Sequence, residues 1–220
     1  MSDFHYNPPT EPFLDVLFED EQIIVVNKPS GILSVPGKAV EHFDSIAARV
    51  KSLYPEGGAV HRLDMGTSGV LVVAKTAQAT SALGRQFQDR KTEKFYYAWV
   101  WGQVEKLEGT IDLPLCVDWE NRPRQQVNFE QGRRAITHYI CLKVEADRSL
   151  MKLKPITGRS HQLRVHMMEL GHPILGDHLY APPEAQAAAP HLYLHAAMLS
   201  FNHPLSGERL SFEAPAPFPL

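Results

Sequence analysis

The chain has 220 residues, 44% of them hydrophobic and 21% charged. That composition excludes a disordered chain and is large enough to bury a core without disulfides or metals. Taken alone, the formal net charge of −3 argues against nucleic acid as a partner, since a phosphate-backbone binder usually carries a basic patch. Two cysteines outside any CxxC pair, Cys116 and Cys141, exclude a disulfide framework and a cysteine-rich zinc site and suit a reducing cytoplasm.

Residues 1–12 are acidic and Pro-rich, with no apolar stretch of the signal-peptide kind, and read as an N-terminal tail. Residues 13–220 read as one domain with no linker. Phe13 to Phe18 and Ile23 to Val26 suggest two strands around the turn Glu19-Asp20-Glu21. Asp44 or Ser45 can cap a helix that runs to about Leu53. Val70 to Ala74 suits a buried strand, and Thr76 can cap a helix over 77–90, with Ala79, Leu83 and Phe87 on one face. Strand patterns follow at 95–101, 109–113, 125–129, 135–144 and 150–154. Ser160 can cap a helix closed by Gly171. An Ala- and Pro-rich excursion with a helical turn spans 181–190, and strands at 192–201 and 208–212 complete the pattern. This is an α+β pattern with a mixed, mainly antiparallel sheet and flanking helices. No apolar run approaches the roughly 20 residues of a membrane span. The GxGxxG and GxxxxGK[ST] signatures are absent.

The charge is unevenly spread. Residues 1–27 carry six acids and no Lys or Arg, leaving 22 basic against 19 acidic residues in the remainder. From Arg148 to His166 there are five basic residues and no acid. A polyanion site is therefore open, as is a merely solvated basic face.

Three stretches can carry chemistry. His61-Arg62-Leu63-Asp64-Met65-Gly66-Thr67-Ser68-Gly69 puts a carboxylate beside an arginine, with glycines that allow close approach. By spacing alone the favoured reading of Asp64 is a turn cap paired with Arg62. The segment from Thr157 to His166 places Arg159, His161, Leu163 and Arg164 at a helix start, where phosphate binds well. His161 and His166 are five apart with no HExxH glutamate, which disfavours zinc. Lys94-Phe95-Tyr96 opens an aromatic strand on which a tyrosine serves either as core or as a platform for an RNA base. The single outstanding carboxylate argues against a glycosidase with paired acids.

Taken together, His61 to Gly69 resembles the HRLDxxTSG motif of the RluA-type pseudouridine synthases. Asn27-Lys28-Pro29-Ser30-Gly31, Lys94-Phe95-Tyr96 and Thr157 to His166 follow in the family's order. The resemblance covers residue 13 to the C-terminus. It implies the family's catalytic fold with a central cleft, no cofactor or metal, and conversion of uridine to pseudouridine in structured RNA. Asp64 then matches the catalytic aspartate, Arg164 the arginine that pairs with it, and Tyr96 the tyrosine under the target base. Arg62 matches the arginine that enters the helix stack as the uridine flips out. His61, Thr67, Arg159, His161 and Leu163 are the remaining expected RNA- or base-contacting residues. The nearest likeness is to short members that act on a 23S rRNA hairpin and on a tRNA anticodon stem-loop. No S4 domain fits before the first motif, so substrate selection is expected to rest on the catalytic domain; a cytoplasmic monomer without membrane contact is also expected. Two rivals remain: an RNA-binding protein without catalysis, and a carboxylate-dependent N-glycosidic hydrolase, which would release free base.

Overall fold

A computed structural model describes residues 6–220. In chain order its elements are β1 (Val16–Glu19), β2 (Ile23–Lys28), α1 (Ile46–Leu53), β3 (Gly58–Ala59), β4 (Ser68–Ala74), α2 (Ala77–Gln88), β5 (Glu93–Trp101), β6 (Glu108–Asp112), β7 (Leu115–Val117), β8 (Gln125–Val127), β9 (Ile136–Val144), β10 (Arg148–Pro155), α3 (Gln162–Glu169), α4 (Pro183–Ala187), β11 (Leu194–Asn202) and β12 (Arg209–Glu213). The architecture is α+β with a mixed, mostly antiparallel sheet, as the pattern suggested. Two short strands, β3 and β7, carry too few residues for alternation to reveal them. Among the described residues no helix is long and apolar enough to cross a membrane.

The chain divides into two compact units. One extends through Glu93 and takes in Ala196–Pro217, while the other holds Lys94–His195 and Phe218–Leu220. In the first, the strand order is β1-β2-β4-β11, with β12 on β11 and β3 beside β4. Every residue of β4 is buried, which is why its sequence is a continuous apolar run rather than an alternation. Helix α2 lays Ala79 and Leu83 on a core of Ile23, Val25, Val70, Val72, Leu199 and Phe201. Both helix starts obey the expected capping chemistry. Ser45 Oγ accepts from Ala48 N–H at 3.2 Å, and Thr76 Oγ1 accepts from Ala79 N–H at 3.1 Å.

The expected tail is tied down where it is described. Buried Arg49 donates to the carbonyls of Pro9 and Phe13 and forks onto Asp44. Tyr6 donates from its hydroxyl to Asp44 O and accepts from Leu33 N–H. Residues 1–5 of that expected tail lie outside the described residues.

In the second unit the order is β5-β10-β9-β6, antiparallel throughout, with a separate β7–β8 hairpin. Alternation along β5 holds: Tyr96, Ala98 and Val100 are buried together on one face. Trp99, on the other face, is buried as well. Leu150 stands opposite it, Arg148 lies 4.4 Å over its ring, and its indole N–H donates to Pro219 O at 2.7 Å.

Helix α3 corrects an expectation. Ser160 is not its cap; His161 takes the N-cap position in the left-handed region, at φ 54°, and no side chain caps the helix. The helix start shifts because Gln162 turns inward. Its Oε1 accepts from Thr157 Oγ1 and Arg159 N–H, while its Nε2 donates to Ile136 O and Thr137 Oγ1. At the far end Gly171, with φ 87°, terminates the helix as expected.

Candidate active site

In the first unit the loop from His61 to Gly69 joins β3 to β4, and the segment following β2 holds its backbone. Buried Ser34 clasps Leu63 from both sides: its hydroxyl donates to Leu63 O at 2.7 Å and accepts Leu63 N–H at 2.9 Å. Ser30 donates to Gly66 O at 2.8 Å, and Gly31 N–H donates to Met65 O at 2.9 Å.

Lys28 completes this cradle. Its side chain is wholly buried, and Nζ donates to Ile32 O at 2.7 Å and to Pro29 O and Met65 O at 3.0 Å each. Three ammonium hydrogens meet three carbonyls, so the charge is hydrogen-bonded although it is out of water. Burial still pushes the Lys28 pKa down to about 7, against the opposing pull of the nearby Asp64 charge. The early Asn-Lys-Pro-Ser-Gly motif therefore has a physical job: it fixes the Met65 and Gly66 carbonyls of the turn that follows Asp64.

The side chains of the loop then divide. Arg62 is exposed, Asp64 is half-buried, and Leu63 and Thr67 are buried. His61 is turned into the fold. Its ring stacks on Phe87 with centroids 4.3 Å apart, and Nε2 accepts from Val72 N–H at 3.1 Å. An imidazole nitrogen that accepts is unprotonated, so His61 here is a neutral anchor of the loop. His61 and Thr67, both expected as RNA contacts, have a side chain turned into the fold and a buried side chain respectively. At Gly69, with φ 112°, a Cβ would sit 2.2 Å from Ala196 O, which is why no other residue fits.

The second unit holds the other expected residues. Tyr96 stands on β5 opposite Leu153 of β10, on the same face as Lys94. Leu163 and Arg164 lie buried in the first turn of α3. Arg164 forks onto fully buried Asp177, with Nε–Oδ2 at 2.8 Å and Nη2–Oδ1 at 2.7 Å, and its guanidinium lies 5.0 Å over Tyr180. Asp177 Oδ1 also accepts from Leu179 and Tyr180 N–H, so one carboxylate both caps a turn and orients the arginine. Its partnership with Arg164, thirteen residues earlier, was not legible in the sequence. His161 Nδ1 lies 2.6 Å from Tyr180 OH, which also accepts from Gln125 N–H. Arg159 is half-buried and donates from Nε to Arg134 O.

Among the described residues no group of three or more His, Cys, Asp or Glu could hold a metal ion. Chemically, the first unit offers a rigidly looped carboxylate beside an exposed arginine. The second offers a buried tyrosine and a fixed guanidinium.

Comparison with known proteins gives these features a common context. The family model described as RNA pseudouridylate synthase matches residues 22–169. The chain is 56% identical over 215 residues to the dual-specificity RNA pseudouridine synthase RluA of Escherichia coli K12, covering 97% of this chain and 98% of that one. It is 57% identical over 206 residues to the protein of the same name from Vibrio cholerae, covering 94% and 84%. Among solved structures, human RNA Pseudouridylate Synthase Domain Containing 1 superposes with a TM-score of 0.78 at 28% identity, over 96% of this chain and 87% of that one. The chain belongs to the RNA pseudouridylate synthase family.

Proposed function

We propose that this chain, an RNA pseudouridine synthase, isomerises uridines in two kinds of substrate, a tRNA anticodon stem-loop and a hairpin of 23S rRNA, as a monomer in the cytoplasm. The dual-specificity name carried by its relatives supports the pairing of substrates. Asp64 is the reacting carboxylate, Tyr96 the platform for the base, and Arg164 the cation that keeps the carboxylate ionised and aimed. Arg62 enters the space that the flipped uridine leaves. The reaction breaks the N1–C1′ bond, turns the uracil, joins C5 to C1′ and moves the C5 proton to N1 or solvent. Nothing is added to or lost from the RNA.

The observation that carries this reading is the cradle of Lys28, Ser30, Gly31 and Ser34 around the loop backbone. It spends four groups on holding Leu63, Met65 and Gly66, the residues that flank Asp64, while Arg62 stays exposed. A pre-ordered carboxylate is what an attack on the nucleotide requires.

The experiment is incubation of total tRNA and rRNA, from a strain lacking this protein, with the unaltered chain and with Asp64→Asn, followed by pseudouridine mapping. Asp64→Asn is expected to lose at least about 10³-fold in rate, the scale for removal of a reacting group, while still binding RNA. Full activity in that variant overturns the assignment. Release of free uracil would favour the hydrolase.

A further inference from the structure

Lys94 is a charged residue of the second unit that the reading above leaves without work. It opens β5 and lies two residues before Tyr96, so both side chains leave the same face of the strand. Among the described residues it has neither a hydrogen-bond nor an ion-pair partner. That sets it apart from Lys28 and Lys75. Lys28 has three carbonyls, and Lys75 has Glu19 and Asp20 O. Burial pushes the Lys94 pKa down, and no carboxylate opposes that shift. A cation in that position costs free energy in the RNA-free protein unless an anion arrives to meet it.

The surroundings suit an arriving anion. A Cβ on Gly158 would lie 3.4 Å from the Lys94 ammonium, so the glycine leaves open the space beside Nζ that a side chain would fill. Gly158 itself is exposed, and its loop leads into the N-terminal, positive end of α3, which no side chain caps. The carboxylate next to Lys94 in sequence, Glu93, is sent by alternation to the opposite face of β5.

We propose that Lys94 is a phosphate-binding residue, whose ammonium takes a backbone phosphate of the RNA strand next to the nucleotide that Tyr96 receives, with Gly158 keeping the approach open. This deepens the proposed function and rests on it. Lys94 acts on binding and register, not on bond-making. Its contribution therefore falls on KM and on salt dependence, not on the rate once RNA is bound.

The test uses a stem-loop RNA that the unaltered protein converts, which establishes the underlying reading before Lys94 is touched. A series of the same RNA is made with one uncharged methylphosphonate at each position flanking the target uridine. In the unaltered protein one such replacement is expected to raise KM about tenfold, the scale of one charge-assisted hydrogen bond. In Lys94→Gln that same replacement should add nothing further, while the others keep their effects, and kcat should stay within about twofold of the unaltered protein. Lys94→Arg should restore most of the loss, and the salt slope of Lys94→Gln should fall by about 0.7, the value for one single-strand phosphate contact. If Lys94→Gln unfolds, Lys94→Met keeps the packing without the charge, and thermal melting separates the two effects. The proposal fails if no flanking methylphosphonate weakens the unaltered protein, if the penalties of variant and replacement simply add, or if Lys94→Gln lowers kcat with KM unchanged. In each case conversion by the unaltered protein leaves the wider function standing.

Discussion

The loop from His61 to Gly69 and the segment from Thr157 to His166 both carry family motifs, yet they are made rigid in opposite ways. The first is held from outside. Side chains of residues 28–34 reach over and bond its carbonyls and one N–H, leaving Arg62 exposed and Asp64 half-buried. The second is held from inside. Its own Thr157, Gln162 and Arg164 turn into the unit and bond one another, β9 and Asp177. On the proposed reading, the loop that presents the reacting group fixes its backbone with borrowed donors. A segment that must present a fixed charge locks the side chain itself.

The difference implies unequal sensitivity. Arg164→Met should cost most, about 3–5 kcal/mol in urea unfolding, because it strands the Asp177 carboxylate in the interior. A loss below about 1 kcal/mol would mean the pair is solvated and the inside-held description is wrong.

Lys28→Met should cost less, about 1–3 kcal/mol, since it leaves carbonyls and not a charge unpaired. Its cost should also depend on pH. The folded Lys28 pKa of about 7 lies below the ordinary lysine value of 10.5. Between those values the unfolded chain holds a proton that the folded chain has released, so stability from this group rises with pH. The gap between the unaltered protein and Lys28→Met should therefore widen from pH 7 to 10 and narrow as pH falls toward 6. A gap independent of pH would show that the three carbonyls hold the ammonium charged throughout.

Ser34→Ala removes both bonds to Leu63 and should cost about 1–2 kcal/mol. Because Leu63 adjoins Asp64, conversion should slow even at temperatures where the variant is fully folded. Unchanged turnover would show that the cradle stabilises the unit without aiming the carboxylate.

Arg62→Ala should be the mildest for stability, within about 0.5 kcal/mol for an exposed side chain. Its effect belongs to the RNA: conversion of a structured stem-loop should fall more than conversion of an already unstacked uridine. Equal losses on both would remove the flipping role.

Much of the fold was legible because its signals are local. Thr76 and Ser45 cap helices through bonds three residues long, and the alternation of Tyr96, Ala98 and Val100 needs only strand geometry. The motif residues of the site were legible by type and order. What escaped was set by partners distant in the chain. Nothing near Lys28 announces Met65, and nothing near Arg49 announces Pro9. Ser160 lost the cap position because Gln162 found its partners on β9. His61 read as a polar residue of an active loop, until Phe87 of α2 supplied a ring for it to lie against.

The way the chain threads its two units also bears on synthesis. The core of the first unit joins Val70 and Val72 to Leu199, Phe201 and Ala214. Strand β4 ends at Ala74, and its neighbour β11 begins only at Leu194. A ribosome making this protein releases the motif loop early and its missing strands last. Until then the continuous apolar run of β4 has an unpaired edge, the kind of surface that chaperones bind and that aggregates when they are scarce.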